Sequence, residues 1–344
     1  MKTVYSPKHA GHAGHTELNE GRIVPGFECP ERAEMVRKAV AAAGLGPIVS
    51  PDEHDLAAAR RVHRSDYVDF LPRVWELWRA EGREEPVTMP FVWPVPGLRR
   101  DVPPRHVDGL LGYYSFDAGA NLVAGSWAAI KASCDTALTA AALIEAGERA
   151  AFALCRPPGH HAGSSFMGGY CYLNNAAIAA QWLRDRGAGR VAILDIDYHH
   201  GNGTQEIFYE RSDVEVVSIH ADPLHEYPYF LGHRDEEGAG DGDGFNHNFP
   251  LPPGTEWSRW REALEEARSR IGAYAPDFLV VSLGVDTFEN DPISRFHLKS
   301  EHYPEIGARI ARLGMPTLFV LEGGYAVEEI GANVAGVLGG FEGG

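Results

Sequence analysis

The stretch Asp195-Ile-Asp-Tyr-His-His-Gly-Asn-Gly-Thr-Gln205 gathers two carboxylates, two imidazoles and two glycines directly behind the apolar run Val191-Ala-Ile-Leu194. Carboxylate oxygen and imidazole nitrogen together suit a divalent metal. Asp197 and His199 are two residues apart, so an extended backbone sends both side chains to one face. Asp195 shares that alternation and suits a partner standing behind a metal ligand. The simpler alternative is a polar strand end that caps the next helix, and this segment alone does not exclude it.

Four other segments carry chemistry of the same kind: Cys155-Arg-Pro-Pro-Gly-His-His-Ala-Gly163, Ser218-Ile-His-Ala-Asp222, Gly284-Val-Asp-Thr-Phe-Glu-Asn-Asp-Pro292 and Leu321-Glu-Gly-Gly-Tyr325. Asp286 joins Asp197 and His199 as a third ligand candidate, and three protein ligands leave room for water and a substrate oxygen. The pair His160-His161 offers general acid–base groups, whose tautomers Asp195 or Asn202 can fix. Tyr325, on a turn loosened by Gly323 and Gly324, can bring a hydroxyl to a developing oxyanion. A metal-activated water, a histidine base and an oxyanion donor make an amide hydrolase.

These residues need a scaffold that brings five distant segments together. Short apolar runs at 150–155, 191–196, 214–219, 278–283 and 316–321 read as strands, and each ends at one of the segments above. Helical patterns at 174–186, 204–210, 256–274 and 302–313, with a last one from 327 onward, alternate with them. Such alternation predicts a parallel sheet covered on both faces. Ligands bind beyond the carboxyl ends of strands in such sheets, which explains the sorting of polar residues.

Upstream, residues 1–5 and Ile48-Val49 read as strands, and 30–44 as a helix with proline near its start and glycine at its end. The stretch 55–78 is helical in composition. Residues 126–147 form an alanine-rich helical pattern, with Ser126 as its N-cap. His9, His12 and His15 are spaced by three, but the glycines between them point to a flexible loop rather than a metal site. Residues 79–119 are interrupted by six prolines among aromatics, a long loop suited to an interaction surface.

The chain of 344 residues is 44% hydrophobic with a formal net charge of −17, enough apolar content for a large core and the wrong sign for nucleic acid. An acidic surface favours cationic ligands. No apolar run reaches membrane-span length, and the N-terminus lacks a signal-peptide core. Cys29, Cys134, Cys155 and Cys171 stand singly, as thiols do in a reducing compartment, so a cytoplasmic location is expected.

Taken together, R-P-P-G-H-H, D-I-D-Y-H-H-G-N-G-T-Q, L-G-V-D-T-F and E-G-G-Y, in this order, resemble the histone deacetylase superfamily. The nearest likeness is to its acetylpolyamine amidohydrolases, through Thr16–Phe27, Phe230-Leu-Gly-His233, Asp286–Ser294 and Gly323–Gly331. The resemblance spans essentially the whole chain. It implies the arginase–deacetylase fold, a single three-layer α/β/α domain over 1–344 with a parallel sheet of about eight strands and an insertion at about 79–119. By motif position, Asp197, His199 and Asp286 match the zinc ligands, where ferrous iron is also possible in the cell. His160 and His161 match tandem histidines paired with Asp195 and Asn202, and Tyr325 matches the carbonyl-polarising tyrosine. Gly169, Tyr170 and Tyr227 fall where the family flanks a narrow tunnel. Asp195, Asp197, His199 and Ser218 fall in the segments that bind a structural potassium ion in relatives.

The expected reaction is zinc-dependent removal of acetyl groups from small cationic amines, acetylpolyamines first, with protein-lysine deacetylation as the alternative. Glu17 is the first candidate to read the distal ammonium, with Asp108 and Asp117 behind it. A homodimer through the 79–119 loop is expected, and neither nucleic acid nor membrane as partner. A binuclear ureohydrolase is disfavoured because further aspartates are missing after His199. A non-catalytic binding module is disfavoured because every chemical position is intact.

Overall fold

The computed structural model describes residues Met1–Gly344. Its strands are β1 (Lys2–Val4), β2 (Thr16–Asn19), β3 (Arg22–Pro25), β4 (Ile48–Val49), β5 (Ala150–Ala153), β6 (Val191–Asp195), β7 (Val214–Ala221), β8 (Asn246–Leu251), β9 (Phe278–Leu283) and β10 (Thr317–Leu321). Eight of them form one sheet in the order β4-β1-β5-β10-β9-β6-β7-β8. Every pairing in it is parallel. β2 and β3 make a separate antiparallel hairpin.

Strand alternation divides the core into two apolar layers. Ala151, Ala153, Val191, Ile193, Val280, Leu318 and Val320 face one layer, which the helices Ser126–Glu145 and Asn175–Asp185 cover. Phe152, Ala192, Leu194, Leu279, Val281, Phe319 and Leu321 face the other. There the helices Pro30–Ala42, Trp257–Tyr274, Tyr303–Ala311 and Ile330–Gly343 pack through residues such as Val36, Trp260, Ile306 and Phe341. Buried on both faces, the central strands read as continuous apolar runs. The architecture is the expected α/β/α sandwich around eight parallel strands.

The register places the chemistry. Asp195 at the end of β6 pairs with Ser218 on β7 and with Ser282 on β9. Leu321 on β10 pairs with Leu283 on β9. The carboxyl ends of β5, β6, β9 and β10 therefore open on one edge of the sheet.

Several local expectations change. The 55–78 stretch is broken into short helices at Ser65–Phe70 and Val74–Ala80, and the 79–119 loop contains one helix, Val107–Tyr113. Ser126 is not an N-cap: Gly125 holds that position, and the Ser126 hydroxyl accepts the N–H of Val123 at 2.7 Å. Residues 16–25, which carry no clear strand signal, form the β2–β3 hairpin, turning through Glu20 and Gly21, both at positive φ (48° and 76°). β8 escaped because two of its inward side chains are Asn246 and Asn248, which bond Gln205 Oε1 at 3.0 and 2.8 Å rather than apolar neighbours.

The segment His9–His15 is not a flexible loop. All three imidazoles are buried. The Arg156 guanidinium donates to the carbonyls of His9 (2.7 Å) and His12 (2.6 Å), and the His12 and His15 rings stack at 4.6 Å. Its glycines serve close packing: Gly11 lies against Gly125 at the start of the helix Ser126–Glu145.

Candidate active site

At the ends of β6 and β9, Asp197, His199 and Asp286 present donor atoms within 4.8 Å of one another, all buried. His199 Nδ1 lies 3.3 Å from Asp197 Oδ1 and 3.1 Å from Asp286 Oδ2. Backbone amides hold the carboxylates: His199 N–H donates to Asp197 Oδ1 (2.9 Å), Gly323 N–H to Asp197 Oδ2 (2.8 Å) and Tyr198 N–H to Asp286 Oδ1 (2.7 Å). Gly323 is required for this approach, since a Cβ there would meet Asp286 Oδ2 at 2.4 Å and Asp197 Oδ2 at 2.5 Å.

Burial and the neighbouring Asp197 raise Asp286 to about 7. Burial also pushes Asp197 up, but His160 and His199 outweigh it and hold that carboxyl far below the usual range. Two buried carboxylates facing one imidazole nitrogen form a donor set that suits a divalent metal. Two further clusters, His12–His15–Glu28 and His160–Cys171–Glu322, also gather potential donors. The first fits a cation poorly, because Glu28 Oε1 already accepts from Arg32 (2.8 Å) and Arg156 (2.8 Å).

The tandem histidines follow β5. His160 Nδ1 lies 2.9 Å from Asp195 Oδ2, and His161 Nδ1 lies 2.7 Å from Asn202 Oδ1, with the two rings 4.0 Å apart. Burial depresses the His160 imidazole, but Asp195 and Asp197 outweigh burial and raise it to about 10. Burial, then the charges of His160 and His199, hold His161 well below its ordinary value. The carboxylate behind His160 thus favours its charged form, and the amide behind His161 leaves burial to favour its neutral form.

Tyr325 follows β10 on the Gly323-Gly324 turn, its hydroxyl kept protonated by burial. The Arg32 guanidinium lies 4.6 Å from its ring centroid. Tyr170 stands 5.5 Å from the same ring, and Tyr227 lies 5.1 Å from His161 and 5.9 Å from His199. Tyr170 is presented by a tight turn from Gly168 to Cys171, whose central residues Gly169 (φ 51°) and Tyr170 (φ 66°) are both left-handed. Only glycine fits at 169, where a Cβ would fall 2.3 Å from the His161 ring.

A cleft of about 740 Å³ opens above these groups, lined among others by Glu17, Asp117, His161, His199, Tyr227 and Tyr325. Glu17 Oε1 accepts from the Tyr170 hydroxyl at 3.0 Å, while its buried Oε2 has no partner. Asp117 is saturated by Tyr227 O–H (2.7 Å) and the N–H groups of Gly169 (2.9 Å) and Gly119 (3.0 Å). Asp108 lies outside the cleft lining, paired with Arg83 at 2.5 Å. Ser218 sits beside Asp195 in the ladder, its hydroxyl 2.7 Å from His220 Nδ1.

The family model for the histone deacetylase domain matches residues 26–341. The chain belongs to the histone deacetylase family. Within that family it is similar, at 55% identity over 343 residues covering 100% of this chain and 99% of the relative, to acetylpolyamine amidohydrolase 2 of Pseudomonas aeruginosa. It is 48% identical over 346 residues to the acetylpolyamine amidohydrolase of Mycoplana ramosa, with 100% of each covered. A crystal structure of acetylpolyamine aminohydrolase from Burkholderia pseudomallei superposes with a TM-score of 0.94 at 40% identity, covering 99% of this chain and 98% of that one. As a histone deacetylase family member with these relatives, the chain is a deacetylase enzyme.

Two site residues had no role assigned from sequence. Glu322 and Asp291 stand inside motifs quoted above, but their partners are backbone N–H groups. Glu322 carries the signal of an acid directly after a strand, whereas Asp291 lies further along the loop after β9 and carries none beyond its place in the motif.

Proposed function

We propose that the protein is a zinc-dependent deacetylase of acetylated polyamines. The carrying observation is the cleft that reaches the Asp197–His199–Asp286 cluster at His199 and has the unpartnered, buried oxygen of Glu17 in its wall. The base supports amide hydrolysis, and the wall supports a substrate with a second, cationic nitrogen. The kinship with acetylpolyamine amidohydrolases favours the same reading.

Asp197, His199 and Asp286 would hold the zinc ion, with ferrous iron an alternative occupant. Bound there, zinc lowers the pKa of water and polarises the amide carbonyl. The chain's own groups do the rest. His161, kept neutral, accepts the proton of the attacking water, while Asn202 fixes its Nδ1 side. His160, charged and held by Asp195, supplies positive charge beside the developing oxyanion and a proton for the leaving amine. The Tyr325 hydroxyl donates to that oxyanion. The amide C–N bond breaks, giving acetate and the free amine. Tyr170 and Tyr227 flank the aliphatic chain between the carbonyl and the distal ammonium.

The other assignments belong to the same proposal. Potassium would sit among Asp195, Asp197, His199 and Ser218 and stiffen the β6–β7 edge. The sequence folds as one domain over 1–344. Phe91, Val92, Val95, Leu98 and Val102 are exposed on the 79–119 loop, which supports burial of that surface in a homodimer. A cytoplasmic location belongs to the same proposal; no helix is long and apolar enough to cross a membrane.

The test is a deacetylation assay comparing acetylated polyamines, acetyl-lysine peptides and neutral acetylated alkylamines. Acetylpolyamines are expected to give the highest kcat/KM. Preference for the peptides would instead establish the protein-lysine reading.

A further inference from the structure

The turn that carries Tyr325 has little to hold it in place by itself. Gly323 and Gly324 precede the tyrosine, and Gly324 adopts a φ of 126°, a conformation other residues rarely reach. A hydroxyl on such a turn would wander by more than an oxyanion contact tolerates unless the backbone is fixed from outside. On the carbonyl side Arg32 does this, donating to Glu322 O and Gly324 O at 2.6 Å each. On the amide side Asp197 Oδ2 accepts the N–H of Gly323 at 2.8 Å, and one further side chain holds the tyrosine itself. Asp291 Oδ2 accepts the N–H of Tyr325 at 2.7 Å and the N–H of Ala326 at 3.2 Å.

Asp291 is itself anchored. Its Oδ1 accepts the N–H of Ile293 (3.1 Å), its own N–H donates to Phe288 O (3.0 Å), and it is 6% exposed. It leaves the same loop after β9 that carries Asp286. One carboxylate therefore ties the loop of a proposed metal ligand to the backbone of the proposed oxyanion donor. Charge-assisted bonds to buried amides are strong and short, so they set this distance firmly.

We infer that Asp291 is the positioning residue for Tyr325: it holds the hydroxyl at the height of the reacting carbonyl, without touching substrate. This rests on the reading of Tyr325 as oxyanion donor. The alternative is a plain staple, whose loss loosens the whole site.

A double-mutant cycle separates the two. In the metal-loaded enzyme, Asp291→Ala is expected to lower kcat by up to about 10²-fold with little change in KM, the scale of a misplaced catalytic group. In the Tyr325→Phe background, which has no hydroxyl left to misplace, the same substitution is expected to cost almost nothing. Asp291→Asn keeps one acceptor oxygen for the Tyr325 N–H and is expected to recover part of the rate. Metal content is expected to be equal in all variants. Equal fold-losses in both backgrounds, or metal loss with Asp291→Ala, would overturn the inference and leave a staple. An unchanged kcat in Tyr325→Phe alone would overturn the oxyanion reading, and the inference with it.

Discussion

Glu322 accepts the backbone N–H of His160 at 3.1 Å, and that of Gly159 at 2.7 Å, through a single carboxylate oxygen. The residue that follows β10 thereby fixes the loop that follows β5. The carboxyl is fully buried, and burial raises it to about 7 against the opposing pull of His160. Glu322→Ala leaves two buried N–H groups without acceptors, at about 1–3 kcal/mol each. Denaturant unfolding is expected to show that loss of stability, whereas Glu322→Gln keeps an acceptor oxygen and most of it. Equal stabilities for wild type and Glu322→Ala would mean that water replaces the carboxylate.

Asp286→Ala removes one of three proposed metal ligands while β9, the strand before it, keeps its apolar contacts. Metal content and turnover are both expected to collapse with the fold intact by circular dichroism. Acid is expected to have a milder form of the same effect. Asp286 is raised to about 7, so protons compete with the metal below that pH, and metal is lost as pH falls. Full metal content at unchanged turnover in Asp286→Ala would remove this residue from the site.

Tyr325→Phe keeps the ring against Arg32 and deletes only the hydroxyl. Loss of one oxyanion donor costs about 10²–10³ in turnover, or roughly 3–4 kcal/mol. The loss is expected in kcat more than in KM, because the bond strengthens as charge develops.

The features legible in the sequence were those with a strong local signal. Val191–Leu194 and Leu279–Leu283 are buried on both faces, so their apolar runs announce strands, and the polar residues that follow announce the candidate site. β8 was invisible because Asn246 and Asn248 face a buried amide network, which alternation rules read as surface. Glu322 and Asp291 stand in plain view within the motifs, but backbone N–H partners leave no mark in sequence. The His9–His15 segment was misread for a related reason. Its glycines permit close packing against a neighbouring helix, and glycine in sequence does not distinguish packing from mobility.

The proposed selectivity rests on Glu17. Tyr170 occupies one of its oxygens and the other is buried without a partner, so a carboxylate here is costly until something cationic approaches. Burial accordingly raises Glu17 to about 7. The sign of the pH effect follows. The raised value means that stability from this group is full below its unfolded pKa of about 4.5 and is lost as pH rises through about 7. A distal ammonium recovers that loss, since it needs the ionised form that burial penalises. The ratio of kcat/KM for an acetylpolyamine to that for a neutral acetylated alkylamine is therefore expected to rise with pH through about 7. Glu17→Gln is nearly isosteric and keeps an acceptor for Tyr170, so it is expected to raise KM for the polyamine, flatten that rise and spare the neutral substrate. High salt is expected to weaken the polyamine reaction selectively, though less than it would an exposed pair. Equal losses on both substrates, with no change in the pH profile, would show that Glu17 supports Tyr170 and reads no charge.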